Sequence, residues 1–184
     1  MSNASCTTLW VGLRTPQPPD LRQESRPGTM SAAEVRARVE AAMPAGASAA
    51  ARERVMAASL LYHDHHNAAH DLVQDMTDPD GSLVHALVHR REPDYWNANY
   101  WYRQAGDHEL YRLLAARLAT MRPEGSAASV ANRLVLSGTL DPMALVAACE
   151  GAGKMPATDP VPAFLRRLQE SEFELLIGLL AARR

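Results

Sequence analysis

Lysine is nearly missing from this chain: Lys154 is the only one among 19 basic residues, so arginine carries the positive charge. Those 19 stand against 21 acidic residues for a net charge of -2, which excludes the basic surplus that nucleic-acid binding requires. Cysteine is scarce too. Cys6 and Cys149 form no CxxC pair, which excludes a thiolate zinc site and a disulfide framework and points to a reducing cytoplasm. No apolar run approaches the roughly 18 residues of a membrane span, and residues 1–29 lack the apolar stretch of a signal peptide. A P-loop, a Rossmann glycine fingerprint and a GxSxG elbow are all absent. His-Ala-Leu-Val-His at 85–89 keeps the HxxxH spacing of a zincin but has Ala86 where the general-base glutamate belongs. Glu92 follows His89 instead of preceding a histidine by three, so the Glu-x-x-His motif of di-iron bundles is missing as well.

What remains is a chain of 184 residues, 47% hydrophobic, long enough to bury one core. No segment alternates with period two, and apolar residues recur at helical spacing. Ser31 and Glu34 form a capping box ahead of a helix that Pro44 stops. A second helix starts near Ser48 and either runs on to Met76 or breaks at His63-Asp64. Ser82 caps a helix to about Arg91, and Asp94 caps the next, which Gly106 closes. Val130 to Ser137 reads as a helix ended by Gly138, and Asp141-Pro142 opens another. The expectation is all-α, a compact single-domain bundle of seven to eight helices over residues 31–184. Residues 1–30 hold four of the 12 prolines (Pro16, Pro18, Pro19, Pro27) and read as a disordered extension, with Met30 an alternative start of translation.

Six of the seven histidines fall between His63 and His89, followed by five of the ten aromatics between Tyr95 and Tyr102. Residues four apart share a helix face, so His66 pairs with His70 and His85 with His89, and Glu92 lies three beyond. Two such helices packed together would converge several imidazoles and a carboxylate, which is how helical bundles build metal sites. The candidate ligands are His70, His85 and His89. This donor set suits zinc, iron, manganese or nickel. Glu92, Asp94, Arg90 and the distant Glu172, centred on the apolar stripe of the last helix, are candidate catalytic groups. Arg91, Asn97 and Trp101 are candidates for holding a substrate. Asp64 would ligate or orient an imidazole, and His108 reads as a surface or lid group after the Gly106 turn.

The run HALVHRREPDYWNANYWYRQAGDH, with Ala69-His70 and Gln74 before it, resembles a set of bacterial and fungal proteins to which no activity is assigned. Their pattern is His-x-x-x-His-Arg-Arg-Glu followed by Asp-Tyr/Phe-x-Asn-Ala-x-Tyr-Trp-x-Arg. The resemblance spans most of residues 55–180 and implies His70, His85, His89, Arg90, Glu92, Asp94, Asn97 and Trp101 as the working set. Two functions fit. One is a metal-dependent or histidine-based acid–base enzyme for a small polar or anionic molecule. The other is a non-catalytic helical module that binds a ligand or protein, its histidines, arginines and glutamate forming a structural network. Neither involves nucleic acid or a membrane.

Overall fold

The computed structural model describes residues 3–156 and 158–183, with side chains from Thr8 onward. The fold is all-α. Among the described residues there are ten helices and one two-stranded hairpin: α1 (Asn3–Leu13), α2 (Ala32–Ala42), α3 (Ala49–Tyr62), α4 (His66–Val73), α5 (Pro79–Arg91), α6 (Tyr95–Ala105), α7 (Glu109–Met121), α8 (Gly125–Leu134), β1 (Val135–Leu136), β2 (Thr139–Leu140), α9 (Pro142–Ala152) and α10 (Pro160–Ala182). None of the helices is long and apolar enough to cross a membrane.

Helix α10 is the axis. It packs against α1, α3, α7, α8 and α9, and Leu165, Leu168, Phe173, Leu176, Ile177 and Leu180 along one stripe are each essentially inaccessible to water. Burying a side chain of this size contributes about 1.5–3 kcal/mol, so this one stripe is a large part of what holds the bundle together. The second packing unit is the α5–α6 hairpin, which leans on α3 and α4 through α5 and on α9 through α6.

Most helix starts follow from local chemistry legible in the sequence. Ser31 Oγ accepts from Glu34 N–H at 3.3 Å while Glu34 Oε2 accepts from Ser31 N–H at 2.8 Å, satisfying two donors a helix start leaves open. Asp94 accepts from Asn97 N–H at 3.2 Å, and Asp141 accepts from Met143 and Ala144. Helix α5 begins earlier than expected: Asp78, not Ser82, is its cap, with Pro79 in the first turn. The expected helix through Ser137 ends instead at Leu134. Ser137 and Gly138 both take positive φ (52° and 81°), the backbone of a tight hairpin turn, and pair Val135 with Leu140.

The disorder expected of the first 30 residues is not what the described residues 3–30 show. Leu9, Trp10 and Leu13 of α1 are buried where the helix meets α2 and α10, and the Trp10 ring packs 4.9 Å from that of Tyr62. The proline-rich loop after it is tied down by its carbonyls. Proline brings no N–H of its own, so such a loop is ordered by donors from elsewhere. Arg91 donates to the carbonyls of Asp20 (3.0 Å) and Arg22 (3.2 Å) and Gln169 to those of Pro19 (3.2 Å) and Asp20 (2.9 Å), while the loop's own Arg26 donates to the carbonyls of Gln17 and of Tyr62 in α3.

Candidate metal centre

Of the two courses open to the stretch from Ser48, the chain takes the break, at His63-Asp64-His65, and that break places the first ligand candidate. Asp64 takes a left-handed φ of 67°, uncommon outside glycine, although aspartate tolerates it better than most residues. Its buried carboxylate is held 2.8 Å from the Arg91 guanidinium and 3.3 Å from Arg26 Nε. Chain direction changes there, and α4 carries His70 toward α5. Asp64 is therefore a hinge anchor and not a ligand.

His70 on α4 meets His85 and His89, one turn apart on α5. One ligand atom from each lies within 4.8 Å of the other two. His70 Nε2 and His85 Nε2 are 3.0 Å apart, and the rings meet edge to face with centroids 4.9 Å apart. His85 is stacked on both sides, by His89 at 4.8 Å and by the Trp101 indole of α6 at 4.1 Å with 20° between planes. Trp101, expected to hold a substrate, thus fixes the plane of a candidate ligand. Glu92 sits behind the trio. Its two oxygens lie 3.7 Å from His70 Nδ1 and 3.3 Å from His89 Nδ1. A carboxylate on the far ring nitrogen orients a metal-binding histidine and raises its basicity. Asp94 Oδ2 lies 3.7 Å from His89 Nδ1 and accepts from Asn97 Nδ2 at 2.6 Å. Asn97 reaches the centre only through Asp94.

The electrostatics favour a neutral His85. Burial, followed by the neighbouring His89 and His70, pushes it down to about 4, so at neutral pH one of its ring nitrogens offers a lone pair. Burial alone would raise Glu92, but contact with His89 and the charges of His70 and His66 outweigh it and hold the carboxyl below its ordinary range. The centre is not sealed: the His70 side chain is 35% exposed and that of Asp94 42%. His66, one turn before His70, is buried with neither ring nitrogen hydrogen-bonded. Burial and then Arg91 lower it to about 4.

Three expected site residues lie elsewhere. Arg90 and Glu172 are a buried pair, the guanidinium donating to both carboxylate oxygens, to Tyr102 Oη at 2.8 Å and to Gln169 Oε1 at 3.2 Å. Burial would lower Arg90, but the Glu172 carboxylate more than reverses this and keeps it charged. A carboxylate centred on the apolar stripe of α10 is tolerable because this arginine meets it there. Arg91, fully buried, is consumed by Asp64 and the carbonyls of Leu61, Asp20 and Arg22. Successive helical residues step about 100° around the axis, so His89, Arg90 and Arg91 cannot share a face. Arg90 and Glu172, candidates for catalysis, and Arg91, a candidate for holding a substrate, are thus paired with core partners and not brought to the trio. His108 is no lid either. It is buried, accepts from Leu110 N–H at 3.1 Å and meets Asp80 at 2.8 Å. Sequence reasoning missed the Asp64–Arg26–Arg91 node. Its one local signal was the polar His63-Asp64-His65 interruption of an otherwise helical stretch.

No protein-family model, curated protein or solved structure matches the chain.

Proposed function

We propose that the protein binds a divalent transition metal (zinc, iron, manganese or nickel) through His70, His85 and His89 and uses it in an enzymatic reaction on a small polar molecule. One observation carries this reading: three imidazoles from two helices converge to within 4.8 Å, with one carboxylate behind two of them. Nitrogen donors of this kind suit those metals. His89, whose Nδ1 is turned to Glu92 and Asp94, would ligate through its other nitrogen. A bound ion would supply Lewis acidity toward a carbonyl or phosphoryl oxygen, or toward water. Glu92 keeps two rings oriented through their Nδ1 atoms. Asp94, steadied by Asn97, is the exposed carboxylate at the rim and the group placed to take a proton from substrate. With Arg90 and Arg91 committed elsewhere and two carboxylates at the centre, a neutral polar group is favoured over an anionic one. A cytoplasmic location accompanies this reading, supported by Cys149, which is buried and free.

Metal content by plasma mass spectrometry, on protein purified without chelator, tests it. The expected result is close to one transition metal per chain, lost in His85→Ala and His89→Ala while helicity is kept. Protein that stays empty after incubation with zinc, manganese, iron and nickel would sink the proposal and leave the trio as a structural network.

A further inference from the structure

The metal centre is continuous with a surface of aromatic rings that packing alone does not require. Trp96 is 77% exposed and Tyr100 42% exposed. They sit one turn apart on α6 with ring planes 11° from parallel and centroids 6.4 Å apart. Tyr100 then meets Trp101 edge to face at 5.2 Å, and Trp101 stacks on His85 at 4.1 Å. Rings therefore touch in sequence from solvent to a candidate ligand. The order follows from helical phase. With Trp96 taken as zero, Tyr100 falls at about 40° round α6, Asn97 at about 100° and Trp101 at about 140°. Asn97 and Trp101 serve the centre, while Trp96 and Tyr100 form its outward continuation on the same helix.

An indole this exposed is a poor use of a residue that usually buries most of its area and finds a hydrogen-bond partner for its N–H. Two near-parallel exposed rings offer flat apolar ring faces with polar tips. Such a face recognises another flat ring. Round α6 toward the trio come the Asn97 amide and, at the helix cap, the Asp94 carboxylate, so the linking part of a ligand would be polar and uncharged, in keeping with the commitment of Arg90 and Arg91 to the core.

We infer that Trp96 and Tyr100 are the outer subsite of the metal centre, and that the substrate carries a planar aromatic ring joined through a neutral polar group to the atoms that meet the metal. This rests on the metal-dependent reading above and narrows its substrate class.

Hydroxamates test it, because one headgroup binds metal while the tail is varied. The probes are acetohydroxamate and a series of phenyl-tailed hydroxamates with zero to four methylenes before the ring, titrated into the metal-loaded full chain by calorimetry. At least one phenyl-tailed member is expected to bind on the order of tenfold more tightly than acetohydroxamate, the scale of one good ring contact. That advantage should vanish in Trp96→Ala/Tyr100→Ala, while acetohydroxamate affinity and metal content stay as in the parent. Equal affinity for all tails overturns the inference. So does an advantage that survives in the double variant. A pentyl-tailed hydroxamate that matches the best phenyl tail also overturns it, since simple apolar burial would then suffice. Failure of the parent reading looks different: the protein takes up no metal and binds no hydroxamate, and the inference falls with it.

Discussion

Glu172→Ala separates core cohesion from site chemistry. In the parent, Arg90 is 1% exposed and its charge is matched by both Glu172 oxygens, with Tyr102 and Gln169 completing the set. Removing the carboxylate leaves a cation in the core with only neutral acceptors. Breaking a buried pair from one side costs about 3–5 kcal/mol. For a domain of this size each kcal/mol moves the midpoint about 2–4 °C, so Tm should fall by about 6–20 °C. Removing both charges in Arg90→Met/Glu172→Leu should recover at least half of that, because apolar residues of similar volume replace a buried pair at little cost. The assay is thermal circular dichroism, paired with metal content at 20 °C, where the variant is still folded. Metal content should match the parent, since neither residue contacts the histidine trio. A shift in Tm under about 2 °C refutes the energetic reasoning. Loss of metal with Tm unchanged refutes the assignment of Arg90 and Glu172 to the core.

Two further outcomes follow from the same structure. His63, His66 and His85 are each lowered to about 4, in every case chiefly by burial. An unfolded histidine titrates near 6.5, so between pH 6.5 and 4 the unfolded chain binds more protons. Metal-free stability is then full above pH 6.5 and falls as pH drops toward 4, by at most about 3 kcal/mol per histidine. The three together approach the whole stability of an ordinary domain. Urea midpoints measured from pH 7 to 4 should fall steeply, and a flat profile would show that these rings are not buried neutral. Deleting residues 1–29 should strip Leu9, Trp10, Leu13 and Leu21 from the core and leave Arg91 without two of its carbonyl acceptors. The truncated chain should be insoluble or lose more than about 10 °C in Tm, and a midpoint equal to that of the full chain would mean the segment contributes nothing.

The histidine trio was legible in the sequence because both of its regularities are local. His85 and His89 share a face by spacing alone, and the connection from Gln74 to Asp78 is short enough to fold α5 back beside α4. The fates of Arg90, Arg91 and Glu172 were not legible. Each depends on a partner far along the chain, 82 residues for the Arg90–Glu172 pair and 69 to 71 for Arg91 with the N-terminal loop. Proximity in sequence to His89 made the arginines look like site residues, whereas helical phase sends them elsewhere. Proline misled at the N-terminus for a related reason. Its local meaning is a break in regular structure, and the donors that order the loop, Arg91 and Gln169, come from α5 and α10. The Ser137-Gly138 hairpin was missed because a two-residue strand has no periodicity to read.

The fan of His89, Arg90, Arg91 and Glu92 has a consequence for anyone who would transplant this centre. Three histidines and a glutamate at the right spacing on a borrowed helical hairpin would reproduce only half of the run. The two arginines would arrive with them and find neither a buried carboxylate on one flank nor a loop of bare carbonyls on the other. A portable version must therefore swap Arg90 and Arg91 for residues suited to the new host. Within the native chain, deleting one residue ahead of His85 would turn the run by about 100° and bring Arg90 to the place of His89, whereas inserting one would turn it the other way and bring His89 to the place of Arg90, facing Glu172. The histidine trio and the core pairing share a single rotational setting, and neither can drift without the other.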